Sequence, residues 1–101
     1  MKGLIAMYAV IFRAEINKLN NDYFEMASSL RELARNKYGC VEFTSVTEGD
    51  KEIAISYWEN LESIKKWKQA PEHIVAQDLG RSQFYKSVQV QIVEIQREYK
   101  I

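Results

Sequence analysis

Proline, histidine and cysteine occur once each in this chain, and glycine only four times. A single cysteine excludes an internal disulfide and any cysteine-only metal site. Cys40 and the lone His73 lie more than thirty positions apart, so they form no metal motif of standard spacing, and no protein-held metal is expected. No Gly/Pro-rich linker, internal repeat or low-complexity tract breaks the chain, and residues 1–101 are read as one domain. Charge of one sign is lacking too: fourteen basic and fourteen acidic residues balance and are interspersed. That leaves no electrostatic footprint for nucleic acid or an anionic membrane surface. No phosphate-cradling glycine loop, dinucleotide fingerprint or nucleophile elbow is present. The opening run "MKGLIAMYAVIF" is too short for a membrane span and lacks a cleavage pattern, so it is read as a strand. A cytoplasmic location is expected, which the unpaired cysteine favours weakly.

What is present is apolar patterning, with 47% of residues hydrophobic. Residues 4 to 16 are rich in β-branched and aromatic side chains and read as a strand. Asn20, Asn21 and Asp22 then offer capping oxygens, and Tyr23, Met26, Ala27, Leu30, Leu33 and Ala34 recur at helical spacing until Gly39. Residues 40 to 47 and 51 to 59 read as a hairpin around Glu48-Gly49-Asp50. Asn60 caps a short helix carrying Leu61, Ile64 and Trp67, and Pro71 breaks the chain before starting another. The stretch "SVQVQIVEIQ" alternates at period two and closes the series as a strand.

The order strand, helix, strand, strand, helix pair, strand predicts an α+β, ferredoxin-like split βαβ arrangement with a four-stranded antiparallel sheet. Helices can cover only one face of such a sheet. Both alternating sets of the first strand are nonetheless largely apolar, and the third strand carries Ile53, Ile55 and Tyr57 opposite in phase to Ala54 and Trp58. The simplest cover for the second face is the sheet of another copy, giving a two-fold homodimer.

The stretch "WKQAPEHIVAQDLGR" holds the only proline and the only histidine. On a helix from Pro71, His73, Gln77 and Arg81 stack along one side with Gly80 and Phe84 beside them, while Val75, Ala76 and Leu79 fall on the other. Two readings stand. The side with His73 is a solvated face and Val75, Ala76 and Leu79 are the buried one; or His73 looks into a cleft with Trp67 as an aromatic wall. Spacing alone favours the solvated face. From the residues alone, Trp58, Trp67, Tyr57, Tyr85 and Phe84 are read as core rather than a cofactor box, Tyr8 and Tyr23 as packing residues, and Glu59 and Glu62 as favouring the helix start at Asn60.

The segment "ISYWENLESIKKWKQAPEHIVAQDLGRSQFYKSVQVQIVEI" resembles the second half of the antibiotic biosynthesis monooxygenase family, small dimeric α+β-barrel proteins. The likeness is carried by a strand ending in Tyr57-Trp58, a helix ending in Trp67, the Pro71-Glu72-His73, Ala76-Gln77 and Gly80-Arg81 series, and the aromatic pair Phe84-Tyr85. "AVIFRAEI", a helix and "GCVEF" repeat the layout of the first half, so the likeness covers nearly the whole chain.

The resemblance implies a dimer with a pocket in each subunit between sheet and helices. Some members oxidise hydroxylated polycyclic aromatics with molecular oxygen and neither metal nor flavin. On that pattern the substrate is a small aromatic or quinol-like compound and no cofactor is used. Trp67, Gln77 and Phe84 bind the substrate, and His73 and Arg81 are catalytic. Other members bind and degrade haem, the alternative cofactor. Trp67 matches that branch, but Val10 stands where it has a catalytic asparagine and Gln77 where it has the haem-ligating histidine, with His73 one turn earlier as a substitute. Ala70 and Phe84 replace a common histidine and a common tryptophan. A third reading is a non-catalytic dimeric ligand-binding or stress-related protein with a filled pocket.

Overall fold

The computed structural model describes residues 7–17 and 20–101. In chain order they form β1 (Tyr8–Ile16), α1 (Asn21–Lys37), β2 (Cys40–Glu48), β3 (Lys51–Trp58), α2 (Leu61–Lys68), α3 (Pro71–Leu79), a π-helical turn (Gly80–Phe84) and β4 (Tyr85–Glu94). The portion of the expected first strand before residue 7 lies outside the described residues. The four strands pair antiparallel in the order β2-β3-β1-β4, the ferredoxin-like α+β arrangement.

Local chemistry sets the boundaries. The Asn20 side chain accepts from the Tyr23 amide at 2.9 Å, and that of Asn60 from the Ser63 amide at 2.8 Å, each satisfying a free donor in a first helical turn. Pro71 occupies the first turn of α3, where its missing N–H is no loss. Gly39 and Gly49, at φ 86 and 62, supply the left-handed backbone that ends α1 and turns the β2–β3 hairpin.

Cross-strand register sorts the sheet into two faces. Tyr8, Val10, Phe12, Ala14 and Ile16 share the helix-facing side with Glu52, Ala54, Ser56 and Trp58 of β3. Here α1 packs on β2 and α2 on β3. The core gathers Trp58, fully buried, with Ala34, Cys40, Ile64, Trp67 and Ala70. Val88, Val90 and Ile92 of β4 lie on the same side by register, yet each is about half exposed, because β4 is the edge beyond the helices. The opposite face presents Ile53 at 41% and Val46 at 67% exposure. That is the uncovered apolar face expected from the two-sided patterning of β1 and β3.

One expectation is corrected. Val75 is 58% exposed and Leu79 is only partly buried, so of Val75, Ala76 and Leu79 only Ala76 belongs to the buried side of α3. The inward line is instead His73, Ala76, Gln77, Gly80 and Phe84. The small residues Ala76 and Gly80 let this helical segment approach its neighbours closely, which the branched side chains would prevent. The π-helical turn then adds a residue per turn and changes the phase, carrying Arg81 outward while Phe84 stays buried.

Candidate functional site

The helix-facing side of the sheet carries two polar aromatic clusters, one at each end of β1. The first is the joint between α2 and α3. Trp67 lies in the core, with Tyr38 against it at a ring separation of 5.3 Å. The His73 ring stacks on the indole, with centroids 4.5 Å apart and planes 12° from parallel. Its Nδ1 lies 3.1 Å from the Trp67 carbonyl oxygen. A carbonyl only accepts, so in the neutral ring Nδ1 carries the proton and Nε2 is left as the basic nitrogen. Burial, with a smaller push from the Lys68 charge, lowers the His73 pKa from its ordinary value against the opposing effect of the carbonyl. The imidazole is therefore neutral at pH 7.

The five residues expected at the site do not converge. Trp67 and His73 stack, and Gln77, one turn on, donates to the Lys68 carbonyl at 3.4 Å. Arg81 is exposed and paired to Asp78 at 2.5 Å. Phe84 is buried in the second cluster, edge-on to Tyr23 at 5.3 Å.

That second cluster joins positions 23, 52 and 85. Glu52, 9% exposed, projects from the central strand β3 between small neighbours, opposite Ala14 of β1 and beside Ala54. The Tyr23 hydroxyl donates to its carboxylate, and the Tyr85 hydroxyl donates to that of Tyr23 at 3.2 Å. The result is a directed chain, Tyr85 to Tyr23 to Glu52. Burial, reinforced by the Glu52 contact, raises the Tyr23 pKa far above the ordinary phenol value. Tyr85 is pushed up to about 12, chiefly by burial. Both phenols hold their protons near neutrality.

Close packing surrounds this cluster. Tyr85 stands edge-on to Phe12 at 5.4 Å and to Tyr23 at 5.9 Å. A Cβ on Gly80 would sit 3.0 Å from the Tyr85 ring, so a larger residue there would press on that ring. Sequence reasoning reads Tyr23 and Tyr85 as packing and passes over Glu52. The available signal is phase: in β3, Glu52 falls in the buried register of Ala54, Ser56 and Trp58.

Cys40 is buried, its thiol donates to the Glu42 carbonyl at 3.3 Å, and burial raises its pKa, all features of an inert packing thiol. Among the described residues, no three His, Cys, Asp or Glu side chains are grouped to hold a metal ion. Among them also, no helix is long and apolar enough to cross a membrane.

No protein-family model matches the sequence. It is 34% identical over 92 residues to the uncharacterized protein YqjZ of Bacillus subtilis, covering 90% of this chain and 81% of that one. In structure it is similar to a mutant of SnoaB, a cofactor-independent oxygenase from Streptomyces nogalater, with a TM-score of 0.77. The alignment covers 91% of this chain and 95% of SnoaB at 10% identity. It also matches a Nitrosomonas europaea protein provisionally assigned as an antibiotic biosynthesis monooxygenase, with a TM-score of 0.75 over 89% of this chain and 90% of that one at 13% identity. At such identities these two likenesses speak for the fold. The chain therefore belongs to the family of YqjZ, on the ferredoxin-like fold of the antibiotic biosynthesis monooxygenases.

Proposed function

We propose that this protein is a cofactor-independent monooxygenase of a small hydroxylated aromatic or quinol-like compound, acting as a homodimer. The observation that carries the reading is the neutral His73 imidazole stacked on Trp67, with Nδ1 engaged by the main chain and Nε2 basic. A fixed tautomer with a lowered pKa is what a general base near neutral pH requires. Nε2 takes the proton of the substrate hydroxyl; the resulting aryloxide is the electron donor to molecular oxygen. The protein contributes orientation and a dry surface. Trp67 is an aromatic wall and Gln77 an orienting amide, while Phe84 lies in the other cluster, outside this site. Arg81 can turn from Asp78 toward an anionic substrate, because an exposed ion pair is worth only about 0–1 kcal/mol. The exposed apolar face with Val46 and Ile53 is the surface the second copy covers, and a sedimentation mass of one chain would remove the dimer from this reading.

The haem-degrading alternative finds little to hold its cofactor. Val10 offers no polar group, and Gln77 is not an imidazole.

The test is oxygen uptake by the purified protein with a panel of hydroxylated naphthalenes and anthracenes, with and without His73→Ala. Saturable uptake, abolished by the substitution while circular dichroism is unchanged, is the expected result. Full turnover by the variant would take His73 out of the mechanism, and no uptake with any compound would sink the oxygenase reading. In the same preparation, one hemin bound per chain with bleaching in ascorbate and air that catalase does not suppress would put haem degradation in its place.

A further inference from the structure

A carboxylate buried on a central strand is costly to stability, and a leucine or glutamine of similar size would fill the Glu52 position at less expense. Here its partner is a phenol, not a cation, and that phenol is held by a second one. Departures of this kind from what packing favours concentrate at functional sites. Two further features point the chain somewhere. Its outer end, Tyr85, is only half-buried, and its ring meets Phe12 edge-on. By register, Phe12 pairs with Val90 and Ala14 with Val88; Ala14 is buried, and the half-exposed Val88 and Val90 leave an apolar strip on β4 beside the half-buried Phe12 and Tyr85. An aromatic ring laid on that strip would bring a hydroxyl to the Tyr85 oxygen, which has an acceptor lone pair free while its own proton goes to Tyr23.

We infer that Phe12, Val88 and Val90 form the floor of a binding site for a hydroxylated aromatic ring, with Tyr85 as its catalytic contact and Glu52, acting through Tyr23, as the proton acceptor. One proton moves in the step. The substrate O–H bond breaks as Tyr85 takes its proton, Tyr85 passes its own to Tyr23, and Tyr23 passes its own to Glu52. An aryloxide and a neutral carboxylic acid result, with no change in electron count; molecular oxygen is the oxidant that follows. The substrate class and the oxidation rest on the oxygenase reading, but here Glu52 takes the place of His73 as proton acceptor, at the other end of the sheet, so the two bases are alternatives that the paired variants below decide between. Tyr85 touches the substrate, whereas Tyr23 and Glu52 are positioning residues that act through it.

Two measurements test it on the full chain. The first compares binding of 2-naphthol and naphthalene by tryptophan fluorescence. Wild type should prefer the hydroxylated ring by about tenfold, the worth of one hydrogen bond, and Tyr85→Phe should erase the preference. Equal affinities in wild type overturn the site. The second compares oxygen uptake by Glu52→Gln, which keeps the shape and an acceptor for Tyr23, with that of His73→Ala. A loss of about 100-fold or more in kcat for Glu52→Gln, with the 2-naphthol preference retained, is expected for a lost proton acceptor. A Glu52→Gln enzyme within about twofold of wild type in kcat overturns the relay, since that loss is far below what general-base catalysis supplies. If the ring preference is present but wild type oxidises nothing, the site stands and the oxygenase reading fails.

Discussion

The two ends of the helix-facing sheet surface solve the same problem in opposite ways. At the α2–α3 joint, an ionisable group is kept neutral: the His73 proton is directed to a main-chain carbonyl six residues back, and burial discourages a second one. At the Tyr23–Glu52–Tyr85 cluster, the ionisable group is a carboxylate supplied with an O–H donor by a helix residue 29 positions away. The first arrangement is local and could form with little more than the helix pair. The second exists only when α1, β3 and β4 have all docked, so it reports the whole fold.

The difference also explains what is legible in the sequence. Runs of β-branched and aromatic residues mark the strands, and Asn20 and Asn60 mark helix starts because capping is a short-range effect. Rarity draws notice to Trp67 and His73, but spacing alone favours a solvated His73 face and leaves their stacking to the structure. The phase of α3 is misleading because Val75 and Leu79 are its expected apolar anchors, whereas close approach selects the smaller Ala76 and Gly80 for the inside. Positions 23, 52 and 85 share no local pattern. Phe84 is drawn to the His73 site for the same reason: a regular helix would place it there, and the π-helical turn places it beside Tyr23 instead.

Truncation of the aromatic anchor at each end should give the largest effects. Trp67→Ala and Phe84→Ala each remove a large buried side chain, and each should cost about 3–5 kcal/mol in urea denaturation. The comparison lies in what survives. Trp67→Ala should leave the raised tyrosine ionisation seen by alkaline absorbance titration, and Phe84→Ala should lower it. If both variants alter the tyrosine titration equally, the two clusters are one cooperative unit and the contrast drawn between them is wrong.

A smaller effect is expected where a single hydrogen bond is removed. Tyr23→Phe keeps the ring packing but leaves the Glu52 carboxylate buried without its donor, at a cost of about 1–3 kcal/mol. Adding Glu52→Gln to that variant should return part of the loss, because the charge that suffered is gone. The double-mutant cycle should therefore show a coupling of about 0.5–3 kcal/mol. A coupling near zero would mean that water satisfies the carboxylate in the absence of Tyr23.

The smallest effect belongs to His73 and shows itself through pH. Its pKa is lower in the folded protein than the ordinary 6.5 of the unfolded chain, so between the two values the unfolded chain binds more protons. Stability from this group is thus complete above about pH 6.5 and declines as the pH falls from there toward the folded pKa. Thermal melts from pH 7.5 downward should show wild type losing stability through that window relative to His73→Gln, which carries no proton to gain. The Glu52 cluster offers a control within the same molecule. Tyr85→Phe should keep the wild-type acid slope, because its phenol does not titrate there. A His73→Gln variant whose melting temperature falls in parallel with wild type across the window would show that the imidazole titrates freely in the folded protein. The neutral ring stacked on Trp67 would then lose its claim to be a preset base.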